Sequence, residues 1–281
     1  MARLDRHMQR LESLRRRLGF IIDALCIRQI ASCVLSIIPV RRTADGASVR
    51  IRCWSDILAY EEIFTGGIYD SVFDAAPVAT YCDLGCQSGM AILRLVNRSG
   101  PPACSLLIDG NPRAVARCRE NVREAGIRHA VVVHGAVGCG AGDAHDGTVQ
   151  FKIVPNELEC CVAEIGATPM VALTLPVPAI DLEAAWREHC GDVSCELLKM
   201  DIEGAELNVL RTESRFLKRV QRCVLEWHDP PASLAEITNM LRTHGFVDIE
   251  SIWQRDSTGV LTCRRSRCDD ETRSGADACG Q

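Results

Sequence analysis

The sequence predicts an α/β fold with an open, mainly parallel β-sheet and helices on both faces. Two observations carry this expectation. Short apolar runs of strand length recur along the chain, and helix-like stretches of amphipathic spacing separate them. The chain has 281 residues, 47% of them hydrophobic and 25% charged, enough to bury a full-sized core.

In order, "VATYCD" from Val78, "CSLLID" from Cys104, "HAVVVH" from His129, "CELLKMD" from Cys195 and "RCVLEWH" from Arg222 read as buried strands. The segments 89–97, 111–125, 180–188, 203–211 and 232–244 read as the intervening helices. "GTVQFKIV" from Gly147 and "MVALTLPV" from Met170 form an antiparallel excursion before the fourth strand, and Phe246–Trp253 with Gly259–Cys263 form a closing hairpin. Residues 49–263 make up the main domain. Residues 264–281 have almost nothing to bury and read as a disordered tail.

Residues 1–48 read as a basic, amphipathic helical leader. Leu4, Met8, Leu11, Leu14, Leu18, Ile21, Ile22 and Leu25 recur at helical spacing with arginines between them. Asp23, Arg28 and Gln29 interrupt the apolar stretch 18–40, and a charge at bilayer mid-depth costs ~3 kcal/mol, so a spanning helix is disfavoured. The leader is expected to pack on the domain, to form a homodimer, or to attach peripherally to a membrane. No signal peptide is evident, and cysteines read as reduced thiols point to the cytoplasm.

The net charge of -5 is uneven: the first fifty residues hold ten arginines against four acids, the remainder 22 basic against 33 acidic groups. Only Lys152, Lys199 and Lys218 are lysines, a bias that fits codon composition better than a nucleic-acid surface, and no nucleic-acid partner is expected. Sixteen cysteines are scattered singly through apolar segments without zinc-type spacing and read as reduced structural thiols.

Ligands of an open α/β sheet bind beyond the carboxyl ends of its strands. After the first strand comes "DLGCQSG", in which Asp83 precedes Gly85 and Gly89; glycines there admit a ligand close to the backbone, or serve as plain turn residues. After the second comes Asp109 in "DGNP". An acid here can accept both hydroxyls of a ribose; the alternative is that Asp109 or Asn111 caps the next helix. After the fourth comes "LLKMDIEGAELNVL", with Asp201, Glu203 and Glu206 around a glycine.

Taken together, "DxGxxxG", a helix, a strand and a terminal acid make up the arrangement of seven-stranded, class I methyltransferases, a Rossmann-like fold that uses S-adenosylmethionine. The segments "RIRCWSDILAYEEIFTGGIYD", "YCDLGCQSG", "IDGNPRAVARCRENVREAGI", "GAVG", "LLKMDIEGAELNVL" and "VLEWH", in this order, closely resemble the FkbM family of methyltransferases, from about Arg50 to Trp253. The resemblance implies O-methylation of a hydroxyl on a small molecule such as a secondary metabolite, sugar or polyketide. It implies S-adenosylmethionine contacts at Asp83, Gly85, Gly89, Asp109, Asn111, Ala136 and Asp201. Lys199, Asp201, Glu203, Gly204 and Glu206 match a "KIDIEGAE"-like motif, and Glu226 and His228 match the acid and histidine that end the fifth strand. Gln87 stands where asparagine is common, and "DGNP" replaces "EPNP", which shortens the ribose acid by one methylene.

An acceptor hydroxyl must lose its proton to a base or to a metal. Asp201 is expected near the transferred methyl group, Glu203 beside it, and His228 is the better base by intrinsic pKa. Glu203 and Glu206 read equally as first-turn acids of a helix, and Lys199 as a buried lysine paired with a carboxylate. The acids also allow a divalent metal such as Mg. Trp54, Tyr60, Tyr69 and Trp227 read as mouth aromatics or as core. Two rival functions remain: a nicotinamide-dependent oxidoreductase, disfavoured by the glycine spacing, and a catalytically silent scaffold docked through its leader.

Overall fold

A computed structural model describes residues 27–38, 40–44, 47–139, 146–154, 160–162 and 173–266. The helix expected before Leu25 and most of the predicted tail lie outside them. At the amino end, α1 (Ile27–Ile37) leads into an antiparallel hairpin of β1 (Val40–Ala44) and β2 (Ala47–Ile51). The leader is therefore not helical up to residue 48 as the sequence suggested. "VRRTA" and "ASVRI" carry β-branched residues that suit a short two-strand ladder. Next come α2 (Trp54–Tyr60), a π-helical turn (Glu61–Thr65) and α3 (Asp70–Phe73).

The domain then alternates as predicted: β3 (Thr80–Leu84), α4 (Met90–Ser99), β4 (Cys104–Asp109), α5 (Pro112–Glu124) and β5 (Ala130–His134). The antiparallel excursion is a separate three-stranded sheet of β6 (Thr148–Ile153), β7 (Cys161–Val162) and β8 (Leu173–Pro178), with β6 in the middle. After α6 (Leu182–Cys190) come β9 (Cys195–Met200), α7 (Glu206–Thr212), α8 (Ser214–Leu217), β10 (Val220–His228), α9 (Leu234–Thr243), β11 (Phe246–Arg255) and β12 (Thr258–Arg265).

The main sheet has seven strands in the order β11-β12-β10-β9-β3-β4-β5. β10, β9, β3, β4 and β5 run parallel, while β12 is antiparallel to both β10 and β11. Side chains alternate across it with period two. Tyr81, Leu107, Leu197 and Val224 enter one apolar cluster with α4 and α5, whereas Cys82, Leu106, Leu198 and Leu225 enter the other with α6, α7 and α9. Burial on both faces is why these strands read as continuous apolar runs rather than as alternating ones. The strand order reverses between β3 and β9, so their carboxyl ends open a crevice at the middle of the sheet.

One expectation is corrected. Cys104 at the start of β4 and Cys190 at the end of α6 form a disulfide, so the cysteines are not uniformly reduced thiols. Single spacing hid this pair, because 86 positions separate two residues that the βαβ winding brings together. Most of the other described cysteines are buried as small apolar groups. No helix among the described residues is long and apolar enough to cross a membrane.

Cross-linking a loop of this length restricts the unfolded chain and contributes about 2–4 kcal/mol. Replacing both residues, Cys104→Ser with Cys190→Ser, should lower the unfolding free energy by that amount in urea titration. Equal midpoints for the variant and the oxidised wild type would disprove the link.

Candidate active site

The crevice is organised by backbone turns at the strand ends. Gly85 leaves β3 at φ 76°, and a Cβ there would lie 1.7 Å from the Asp201 carbonyl oxygen, so no larger residue fits between the first and fourth strand ends. Gln87 follows at φ 48°, a left-handed position where the shorter asparagine is more at ease. Its amide donates to Asp109 Oδ2 at 2.8 Å, and the Asn111 amide donates to Asp109 Oδ1 at 2.7 Å. Asp109 thus ties the first loop to the second. Burial pushes its carboxyl up, and the two amides counteract this.

Beneath the crevice, Asp83 and Lys199 are direct neighbours on β3 and β9, both buried. Lys199 Nζ lies 3.2 Å from Asp83 Oδ1 and 3.4 Å from Asp201 Oδ2, and donates to the Gly85 carbonyl at 2.8 Å. Burial alone would lower the ammonium's pKa, but Asp83 and Asp201 outweigh it and hold the proton firmly. This is the buried, paired lysine that the sequence suggested.

Beyond β9 the chain turns through Glu203 at φ 53° and Gly204 at φ 99°. Glu203 is therefore not in the first turn of a helix. The next helix, α7, starts at Glu206, and this acid does more than offset the dipole. It is 1% exposed, and its Oε1 accepts from the Ile202 amide at 3.1 Å and the Gly204 amide at 3.2 Å. The same oxygen lies 3.3 Å from His228 Nδ1. His228 Nε2 faces the cavity, 3.5 Å from Glu203 and 3.9 Å from Glu226. Burial would lower the imidazolium's pKa, but the bond to Glu206 and the charges of Glu203, Glu206 and Glu226 raise it to about 11. His228 is then a cation rather than the free base that its intrinsic pKa promised. Burial, followed by the charges of Asp201 and Glu62, pushes the Glu226 carboxyl well up.

The crevice encloses about 230 Å³. One end is apolar, built by Ile108, Ala136, Val137, Phe151 and Val162, with the Phe151 ring seated where a Cβ on Gly110 would fall. Asp109 stands in the middle. Glu62, Asp201, Glu203, Glu226 and His228 close the other end, and no lysine or arginine lines the cavity among the described residues. Of the sequence-predicted residues, Gly85, Asp109, Ala136, Asp201, Glu203 and His228 meet on this wall. Asp83, Gly89 and Asn111 stand behind it: Asp83 under Lys199, Gly89 as the left-handed cap of α4, and Asn111 as the cap of α5, accepting from the Arg113 amide at 3.0 Å. Tyr60, Tyr69 and Trp227 are core. Sequence reasoning missed Glu62, which sits on the π-helical turn of a segment with no strand end to flag it.

The residues fit S-adenosylmethionine on their own chemistry. A carboxylate stands at the second strand end where a ribose would lie, an apolar slot beyond it suits a flat base, and acids gather where a sulfonium would sit. Sheet order and site together define a class I, S-adenosylmethionine-dependent methyltransferase. Residues 108–247 match the methyltransferase FkbM domain, and the chain carries that domain.

Solved structures share this general form at low identity. Precorrin-6y C5,15-methyltransferase from Geobacter metallireducens GS-15 aligns with a TM-score of 0.43 and 11% identity, over 72% of this chain and 89% of its own. M. capricolum TrmK in complex with S-adenosylhomocysteine gives 0.41 and 9%, over 70% and 67%. M. jannaschii TYW2 in complex with AdoMet gives 0.40 and 9%, over 80% and 84%. No curated protein matches the chain.

Asp109→Ala removes the carboxylate facing the ribose position and unties the two loop amides. Calorimetry should show S-adenosylmethionine affinity falling at least about tenfold, the scale of a charged hydrogen bond. Unchanged affinity would remove Asp109 from the cofactor site.

Proposed function

We propose that the protein transfers the methyl group of S-adenosylmethionine to a hydroxyl oxygen of a small molecule. The observation that carries this reading is the charge of the cavity: Glu62, Asp109, Asp201, Glu203 and Glu226 against His228 alone. Such a wall attracts a cationic sulfonium. It repels the pyrophosphate of a nicotinamide dinucleotide, for which it offers no arginine or lysine among the described residues, and this disfavours the oxidoreductase reading. The complete loop, the ribose-facing acid and the intact acidic motif likewise disfavour a silent scaffold.

When bound, the cofactor supplies an electrophilic methyl group, and the chain's part is to position the acceptor and manage its proton. Asp201, at the sheet centre and anchored by Lys199, is assigned to take the proton from the acceptor hydroxyl at its Oδ. His228, protonated, is assigned to orient the acceptor oxygen through Nε2 and to stabilise the charge developing there. Glu203 stands beside Nε2 and completes the polar end.

A screen of hydroxyl compounds with isotopically labelled S-adenosylmethionine should give a product with the label on oxygen. Asp201→Asn should lower kcat by about 10²-fold. Label on nitrogen or carbon, or wild-type turnover by the variant, would sink the assignment.

One observation favours a metal-assisted version. Single ligand atoms of Asp201, Glu203 and His228 all lie within 4.8 Å of one another. Nδ1 of His228 is held by a carboxylate, as in many metal-ligating histidines. These three residues would hold a divalent ion, which would acidify the hydroxyl. The two versions separate cleanly. Without a metal, activity survives a chelator, and kcat shows no imidazole limb between pH 6 and 8, because His228 keeps its proton up to about 11. With a metal, the chelator abolishes turnover.

A further inference from the structure

We propose that the outer face of α1, together with the basic sequence that precedes it, seats the protein on an anionic lipid surface. The helix is anchored by its inner face: the Ser32 hydroxyl accepts from the Trp54 amide at 3.0 Å, and Leu35 packs against the core. On the opposite side Ile30, Val34, Ile37 and Ile38 are 59%, 53%, 74% and 68% exposed. Their spacing of four, three and one places them on one face of a helix. Of the large apolar side chains exposed among the described residues, only Leu173 and Val193 lie elsewhere.

Charge decides between the occupants of this face. The first fifty residues hold ten arginines and four acids, and the remainder 22 basic and 33 acidic groups. Arg3, Arg6, Arg10, Arg15, Arg16 and Arg17 stand among apolar residues in the sequence upstream of the exposed stripe. An anionic bilayer accepts both parts at once, the aliphatic side chains at the acyl boundary and the guanidinium groups among the headgroups. It also repels the acidic body, which orients the chain with α1 downward.

A second copy of the chain is a poorer partner. The exposed parts of four aliphatic side chains amount to roughly 400 Å², about half of the ~800 Å² per subunit that stable interfaces bury. Asp23 and Arg28 within the apolar stretch 18–40 disfavour a spanning helix.

The test is co-sedimentation of the full chain with phosphatidylcholine vesicles, with and without phosphatidylserine. Binding to the anionic vesicles, weakened by salt, is expected. Ile30→Glu with Ile37→Glu should reduce it about tenfold or more, as should Arg15→Glu, Arg16→Glu and Arg17→Glu together, both with S-adenosylmethionine affinity unchanged in calorimetry. Wild-type protein left in the supernatant, or a double variant that binds as well as wild type, would overturn the proposal. So would a wild-type dimer in analytical ultracentrifugation that the double variant converts to monomer, because the face would then belong to a second copy.

Discussion

The buried ammonium of Lys199 holds the working end of the sheet together. It sits opposite Asp83 across β3 and β9, shares its charge with Asp83 and Asp201, and donates to the Gly85 carbonyl. A buried charge persists only while its partners stay, and removing one typically costs 3–5 kcal/mol. The ion group therefore pins the two strand ends whose reversal of order creates the crevice. Gly85 then lies against Asp201 so closely that only glycine fits, and Asp201 is presented to the cavity from a fixed base.

A second polar group is built on the first. Glu206, satisfied by two backbone amides, grips one nitrogen of His228 and leaves the other facing Glu203, Glu226 and the cavity. Placing Glu203 there requires a left-handed backbone that a β-carbon resists, a strain of the kind concentrated at functional sites. The result is a cavity with an apolar end, a central carboxylate and an acidic end, a gradient that suits a nucleoside joined to a sulfonium. Such a gradient has no evident structural use in a protein that must otherwise spread like charges apart.

Much of this was legible beforehand because parallel strands buried on both faces leave a continuous apolar signature, and ligands gather where such runs stop. "CSLLID" matches β4 from end to end, with Asp109 its last residue, while Asp83 lies near the end of β3 and Asp201 just beyond β9. The misreadings have particular causes. Helical spacing at 203–211 hid the positive φ of Glu203, which delays the helix to Glu206. The β1–β2 hairpin of the leader is too short to show a period. Cys104 and Cys190 are distant in sequence and neighbours only through the winding of the chain. The raised pKa of His228 was not legible because an intrinsic pKa carries no information about three carboxylates converging on one ring.

The sequence by itself determined the strand segments and the order of their strand-end motifs, since these follow from local periodicity and from residue types at fixed spacing, and its resemblance to the FkbM family implied the methyltransferase class. Only the tertiary structure decided which of those residues face the cavity. Asp109, Ala136, Asp201, Glu203 and His228 line it, while Asp83, Gly89 and Asn111 support it from behind. It also placed Glu62 on the cavity wall and gathered three carboxylates around His228, which raise its pKa. The reason is the same in each case: direction and charge state depend on neighbours brought in from other elements, and a linear pattern records spacing along the chain rather than distance across it.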